Sequence, residues 1–293
     1  MFKGEIAALL TAACWTVTVL SFESAGKKIG SLAVNLIRLI LAFLFLSIFL
    51  YLTRGMPFPS DATVRTWFWL AVSGLIGFTL GDLLLFEAFV RIGARTSMLI
   101  MALVPVTTTL ISWFLLQEMP SLKQLAGMTV TICGITLVLL HKKKDKKRSS
   151  YSIWGIVLAL GGTIGQATGL VLSKYGMGDY NPFAATQIRI LAGTVGFSIM
   201  FVFWRKWNRV WSGLKNKKAM QRITIGAFFG PFLGVSLSLY AIQHTYTAIA
   251  STLMALTPVF VLAPAAIFFK ERIGPIDIMG AIIAIVGVAL IFI

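Results

Sequence analysis

The sequence predicts an all-α integral membrane protein with ten transmembrane helices, arranged as two inverted five-helix repeats. Two observations lead to this fold class: the composition of the chain and a repeat within it. Of its 293 residues, 58% are hydrophobic and only 12% are charged, whereas a soluble domain has roughly 45–50% apolar and about 25% charged residues. This much apolar surface excludes a soluble enzyme with a single core, and it also excludes a disordered chain.

Apolar runs of about 20 residues, the length that crosses a bilayer, occur ten times along the chain. The predicted spans are 4–22, 32–53, 67–90, 94–116, 122–140, 152–173, 183–204, 222–243, 247–269 and 275–293. The connection between the third and fourth spans is short and falls near Arg91 to Arg95. The first span has features of a signal peptide, but the repeat pairs it with an internal span that cannot be one.

The two halves of the chain resemble each other at nearly constant spacing. The segment around Arg38 matches that around Arg189, 151 positions later, and Met101–Pro105 matches Met254–Pro258, 153 positions later. Because each half has an odd number of spans, the two halves must lie in the membrane with opposite orientations. Inverted repeats of this kind are a frequent transporter design, in which the substrate site lies near the midplane between the repeats.

Positive charge is concentrated in the loops. Its distribution indicates where the two repeats are joined and how the chain is oriented in the membrane. The predicted parts are a first repeat, 1–140, a basic linker, 141–151, and a second repeat, 152–293. With the amino terminus outside, the inner loops carry 19 Lys and Arg residues and the outer segments carry 5. Since positive loops stay inside, we expect cytoplasmic basic loops and external termini in a bacterial cytoplasmic membrane. The net charge of +16 is thereby a topology signal, and no nucleic-acid partner is predicted.

The chain resembles EamA-type members of the drug/metabolite transporter superfamily over essentially its whole length. The resemblance lies in a proline within the fourth and ninth spans, in Gln117-Glu118 and Lys270-Glu271-Arg272 at their ends, and in glycine-rich closing spans. It implies an exporter or exchanger of amino acids, other metabolites or drugs. Many ten-span relatives are described with both termini in the cytoplasm, so this chain departs from them in its charge distribution.

Ionisable groups within a membrane cost about 2.5–3.5 kcal/mol each on insertion scales, so each one needs a reason. Asp82, near the middle of the third span, is expected either to bind an ammonium group or a coupling proton, or to form a structural ion pair with Arg38. Arg38 and Arg189 occupy equivalent places in the repeats and are candidates for binding a carboxylate or phosphate, or for a shared structural role. Gln166 is also costly in lipid and is expected to face the interior.

Other candidate cavity residues are polar, aromatic or helix-breaking residues of the spans. They are Trp15, Tyr240, Pro105, Pro258, Thr108 and Thr257. The two prolines are predicted to interrupt corresponding helices near their middles, where freed backbone groups often line a binding cavity. The two threonines either face that cavity or hydrogen-bond their own backbone.

The sequence therefore predicts a secondary transporter of small polar or amphipathic solutes that works by alternating access. No cofactor or metal is predicted, because the chain has only two cysteines and two histidines; proton coupling stays open. The expected partners are a small-molecule substrate and membrane lipids, in a monomer or homodimer. Two alternatives remain: a translocase for lipid or lipid-linked headgroups on the same fold, and a membrane-embedded enzyme, which the scarcity of histidine disfavours.

Overall fold

The computed structural model describes residues 2–141, 153–205, 207–269 and 274–292, and all regular structure within these ranges is helical. Such a structure is expected in lipid, where a helix satisfies the backbone polar groups within one segment. All but the first residue of the predicted linker 141–151, and the predicted Lys270-Glu271-Arg272 motif, fall outside these ranges.

In the first half, seven helical elements are described, one of them π-helical. They are α1 (Lys3–Ile29), α2 (Ser31–Arg54), α3 (Val64–Gly74), the first π segment (Leu75–Gly81), α4 (Asp82–Met101), α5 (Val104–Leu116) and α6 (Leu122–His141). The turn between α1 and α2 is a single residue, Gly30, whose positive φ of 85° is unfavourable for residues with a side chain.

The second half repeats this order with two differences: a short helix is added after α8, and two helices, α11 and α12, stand where the first half has α4. Its described elements are α7 (Ile153–Met177), α8 (Pro182–Trp204), α9 (Trp207–Lys215), α10 (Lys217–Ala227), the second π segment (Phe228–Gly234), α11 (Val235–His244), α12 (Thr247–Met254), α13 (Thr257–Phe269) and α14 (Pro275–Phe292). Helix α9 was not predicted, because it is too short to span a bilayer and lies in a strongly charged segment.

Eight of the described helical stretches are long and apolar enough to cross a membrane. The third of them continues from α3 through the first π segment, and the seventh joins α10, the second π segment and α11. Two shorter apolar stretches, Val104–Leu116 and Thr247–Leu262, lie within the predicted fourth and ninth spans. The chain is therefore a multi-pass integral membrane protein.

The predicted boundary between the third and fourth spans is wrong. Helix α4 runs unbroken through Arg91 and Arg95, and the chain turns instead at Ala102 and Leu103.

The prediction that Pro105 and Pro258 interrupt helices near their middles is also wrong. Each is the second residue of a helix, α5 or α13. Proline is tolerated in the first helical turn because its missing N–H would have no intrahelical partner there.

The two π segments occupy matching places in the halves, although the sequence predicted uninterrupted spans there. Leu75–Gly81 and Phe228–Gly234 are separated by the repeat spacing of 153 positions. Pro231 lies inside the second segment. π-Helical turns are rare and frequently mark functional sites, and Asp82 follows the first of them directly.

Each half contributes one helix to the packing of the other. Helix α1 packs mainly against α10, the second π segment, α11 and α12 of the second half. Helix α7 packs mainly against α3, the first π segment, α4 and α5 of the first half. This exchange places the residues of α7, Gln166 among them, beside the first π segment and Asp82.

Glycines bring α6 and α14 into close contact at two related points. A β-carbon at Gly127 would lie 2.8 Å from the carbonyl oxygen of Gly287, and one at Gly280 would lie 2.8 Å from that of Gly134. Small residues at both points let the backbones of the two helices touch, as in other membrane helix pairs.

Candidate substrate site

A buried cluster of polar side chains lies where the first π segment meets α4. The Asp82 side chain accepts a hydrogen bond from Arg38 Nη2 at its Oδ2 atom, 2.5 Å away, and another from Gln166 Nε2 at its Oδ1 atom, 2.9 Å away. Asp82 is only 7% exposed. Three of the predicted site residues, from α2, α4 and α7, are thus joined in one cluster that includes both halves of the chain.

Close backbone packing positions Gln166 within this cluster. A β-carbon at Gly165 would lie 3.0 Å from the Cα atom of Gly81, so α7 approaches the π segment along glycine faces. The Gln166 amide then reaches two acceptors, because Nε2 also donates to the carbonyl oxygen of Gly77 at 3.2 Å. Gln166 therefore holds the Asp82 carboxylate and the π-segment backbone in one arrangement.

The Arg38 guanidinium has two partners of different kinds. Besides its ion pair with Asp82, its Cζ atom lies 5.4 Å from the centroid of the Phe22 ring on α1. Desolvation of both charges offsets much of the attraction within a buried ion pair, so the pair adds little net stability, although loss of one partner is expensive. Such a pair can open at low cost only when another charged group replaces one partner.

Arg189 also lies beside the first π segment, but its charge has no counterion there. It is 5% exposed, and its Cζ atom lies 4.9 Å from the Phe78 ring centroid. Within the described part of the chain, no hydrogen bond or ion pair reaches the guanidinium, and Nε is a buried donor without an acceptor. A cation–π contact contributes about 0.5–2 kcal/mol, and placing the charge in a membrane costs about 2.5–3.5 kcal/mol. The ring therefore compensates the charge only in part.

A second polar cluster lies at one end of the bundle, around an open cavity of about 410 Å³. The Lys174 ammonium lies 2.6 Å from Glu118 Oε1, and the Thr247 amide donates to Glu118 Oε2 at 2.7 Å. Glu118 at the end of α5 thereby contacts both α7 and the start of α12. This pair could not be predicted from the sequence, since Lys174 and Glu118 lie in different halves.

A loop contact at the ends of α2 and α7 also connects the halves. Asp61 accepts hydrogen bonds from Tyr180 Oη at 2.8 Å and from Arg54 Nη2 at 2.5 Å. Partial burial raises the pKa of the Asp61 carboxyl, but these two hydrogen bonds outweigh that effect and hold the pKa below its ordinary value. The carboxylate is therefore charged at neutral pH and able to hold both loops.

The aromatic candidates Trp15 and Tyr240 lie outside the Asp82 cluster. Trp15 is half-buried on α1 and packs against Gly234 at the end of the second π segment. Tyr240 stacks on His244 with ring centroids 4.1 Å apart, and His244 lines the open cavity. Among the described residues the Asp82 carboxylate accepts hydrogen bonds from Arg38 and Gln166, so a cavity lining that Trp15 and Tyr240 share with Asp82 stays a prediction.

The proline and threonine candidates lie at the starts of α5 and α13. Thr257 donates to the carbonyl oxygen of Met254 at 2.9 Å, which is the backbone role that the sequence left open. Thr108 is fully buried on α5, and its hydroxyl has no hydrogen-bond partner among the described residues. Pro105 is buried and Pro258 half-buried. Of these four residues, Thr108 is the one whose side-chain hydroxyl is left without a hydrogen-bond partner among the described residues.

The chain shows the same family pattern twice. The model of the EamA-like transporter family matches residues 2–140 and again residues 153–293. The chain belongs to the EamA-like transporter family. It is accordingly a membrane transporter of the drug/metabolite transporter type rather than an enzyme.

Individual relatives are distant. A chloroplast WAT1-related protein of Arabidopsis thaliana is 22% identical over 286 residues, which cover 94% of this chain and 66% of the relative. An uncharacterised transporter of Archaeoglobus fulgidus is 28% identical over 118 residues, 40% of each protein. The chain thus spans at most about two thirds of the length of these two curated relatives.

A solved crystal structure has a similar fold. It superposes with a TM-score of 0.78 over 98% of this chain and 94% of the other, at 15% sequence identity. Identity this low makes the likeness one of fold alone.

Proposed function

We propose that this EamA-family protein is a secondary transporter that exports or exchanges small polar or amphipathic metabolites, such as amino acids or drugs. The observation that carries the proposal is the buried Arg38–Asp82–Gln166 cluster, built from helices of both halves beside a π segment. Transporter sites lie at the interface between repeats, on interrupted helices, because only there are polar backbone groups tolerated at membrane depth.

We further propose ten membrane spans in two inverted repeats, 1–140 and 152–293, joined by the basic linker 141–151. The contacts of α6 with α14 support a two-fold relation, because Gly127 meets Gly287 and Gly280 meets Gly134 at matching positions of the two halves. Such reciprocal contacts are what a two-fold axis between the two helices would produce. 

A second pair of matching contacts supports the same relation. Gly81 of the first π segment packs against Gln166 on α7, and Gly234 of the second packs against Trp15 on α1. Gly81 and Gly234 occupy equivalent positions of the sequence repeat, and so do Trp15 and Gln166. In alternating access, these two glycine-lined contacts are where one half would rock against the other.

The roles proposed for the site residues follow from their partners. Asp82 is the acceptor for a substrate ammonium group or a coupling proton. Arg38 is the cation that pairs with the Asp82 carboxylate until the substrate arrives. Gln166 positions the Asp82 carboxylate. Because Val235 stands at the position equivalent to Asp82 in the second half, the fold itself does not require a carboxylate at this place.

The proposed orientation follows the loop charges. Both termini lie outside and the basic loops face the cytoplasm of a bacterial inner membrane. In that orientation the Glu118–Lys174 cluster and its open cavity lie on the outer side. The Glu118–Lys174 contact then joins α5, α7 and α12 at the outer end of the proposed substrate pathway.

Solute exchange in proteoliposomes tests the proposed function. The full-length protein is reconstituted with one unlabelled solute inside, and uptake of the same labelled solute is followed for a panel of amino acids, sugars, nucleotides and drugs. We expect uptake above that of protein-free vesicles for at least one small polar solute. Movement of fluorescent lipid between leaflets, without uptake of any soluble compound, would instead indicate the lipid translocase.

A further inference from the structure

The charges around the first π segment do not balance. Asp82 neutralises Arg38, and no described carboxylate reaches Arg189, which is 5% exposed. The described part of this region therefore carries one uncompensated positive charge at membrane depth. A charge in such a place is disfavoured unless a partner neutralises it. In a transporter, a negatively charged group of the substrate can be that partner.

The backbone packing around Arg189 fixes where its side chain reaches. A β-carbon at Gly74 would clash with the Arg189 backbone, so α8 lies directly against the end of α3. The side chain then reaches along the π segment, to the ring of Phe78 and to Gly77. A β-carbon at Gly77 would lie 3.4 Å from Arg189 Nη2. Gly77 also accepts the hydrogen bond of Gln166, so Arg189 borders the Asp82 cluster.

We infer that Arg189 is the anion subsite of the transporter and that the substrate carries a single carboxylate, which pairs with its guanidinium. This inference rests on the proposed transport function and specifies its substrate class. One guanidinium balances one negative charge, whereas a phosphate monoester carries up to two and would need a second free cation. In the present arrangement Arg38 is paired with Asp82, so Arg189 is the guanidinium that an anion can reach without displacing another group. The planar fork of donors in arginine matches the two oxygens of a carboxylate.

Thermal unfolding of the purified full-length protein in nanodiscs tests the subsite without knowledge of the natural substrate. The probes are propionate and benzoate, their uncharged amides, and phenyl phosphate, all at matched ionic strength. We expect at least one carboxylate to raise the Tm of the wild-type protein by several degrees, with no shift from the matching amide. A ligand that binds only the folded state raises Tm in this way.

Substitutions at Arg189 connect the shift to this side chain. Arg189→Gln should abolish the carboxylate shift, and Arg189→Lys should weaken it, since an ammonium lacks the planar fork. Arg65→Gln is the matched control, because Arg65 also stacks on an aromatic ring, that of Tyr175 at 5.3 Å, and lies away from the site. It should keep the full shift. Without ligand, Arg189→Gln should melt at or above the wild-type Tm, because the substitution removes an uncompensated charge.

Several results would overturn the inference. These are a carboxylate shift that survives in Arg189→Gln, no shift of the wild-type protein by any carboxylate, or a larger shift with phenyl phosphate. A lower Tm or misfolding of ligand-free Arg189→Gln would show that the charge is structural. Carboxylate binding without any solute exchange would refute the proposed transport and leave the subsite standing. Exchange of solutes that is unaffected in Arg189→Lys would refute the subsite alone.

Discussion

The guanidinium of Arg38 and the carboxylate of Asp82 form an ion pair, with Nη2 and Oδ2 2.5 Å apart, that joins α2 to the start of α4. Both side chains are mostly buried, with exposed fractions of 16% and 10%. The pair is compatible with a structural role and with a substrate site, because a transported group that binds Asp82 must displace Arg38. Stability and transport therefore have to be measured on the same variants.

Loss of the Asp82 charge alone should destabilise the protein. In Asp82→Asn the Arg38 guanidinium loses its counterion, and we expect a loss of about 3 kcal/mol in the free energy of unfolding. The double variant Arg38→Gln/Asp82→Asn removes both charges and leaves two amides able to hydrogen-bond. We expect it to recover most of that loss, as measured by thermal unfolding in nanodiscs. A double variant less stable than Asp82→Asn would contradict the claim that the unpaired charge of Arg38 causes the loss of stability.

The Glu118–Lys174 contact should stabilise the end of the bundle. Glu118→Ala removes both the ion pair and the acceptor for the Thr247 amide, and we expect a loss of about 2–4 kcal/mol. Glu118→Gln keeps an acceptor and should lose less. Glu87→Gln is the control, because its pair with Arg91 is exposed and should contribute less than about 1 kcal/mol. Equal Tm values for Glu118→Ala and Glu87→Gln would show that the buried contact adds nothing.

The crossing of α6 and α14 should tolerate no added side chain. A β-carbon at Gly280 would lie 2.8 Å from the Gly134 carbonyl oxygen, so Gly280→Ala should lower stability by about 1–3 kcal/mol. Gly26→Ala serves as the control, because nothing lies within 4 Å of a β-carbon at that helical position. It should be neutral or slightly stabilising. Thermal unfolding of both variants checks this, and a neutral Gly280→Ala would mean that the two helices are further apart.

Cysteine labelling tests the proposed orientation. In a background with Cys14→Ala and Cys133→Ala, a membrane-impermeant maleimide should label Ser60→Cys in intact cells. Ser149→Cys, in the basic linker, should react only after permeabilisation. This follows from the excess of positive charge in the loops assigned to the cytoplasm. External labelling at position 149 with protection at position 60 would reverse the orientation.

Most helices could be predicted from the sequence, because each apolar run long enough to cross a membrane must be helical there. The interruptions could not be predicted in the same way. Leu75–Gly81 has the same apolar composition as an α-helix, and only its hydrogen bonding distinguishes it as π-helical. The turn before Pro105 was misplaced toward Arg91 because charged residues suggest a loop.

The site could be predicted in part. Arg38, Asp82 and Gln166 were identifiable because polar groups are costly in lipid, and the structure joins them. Phe78 and Lys174 were not identifiable. An aromatic ring in an apolar span carries no signal of its own, and the partner of Lys174 becomes evident only when α5 and α7 are packed together.

Solute exchange by the Asp82 variants tests the central claim, that the Arg38–Asp82–Gln166 cluster is the substrate site. Wild-type protein, Asp82→Asn, Arg38→Gln/Asp82→Asn and the control Glu87→Gln are reconstituted in equal amounts, and the exchange of an identified solute is measured between pH 5 and 8. We expect wild-type rates for Glu87→Gln and at least a tenfold loss for both Asp82 variants, including the restabilised double variant. Exchange by the double variant at the wild-type rate and with unchanged pH dependence would contradict the claim.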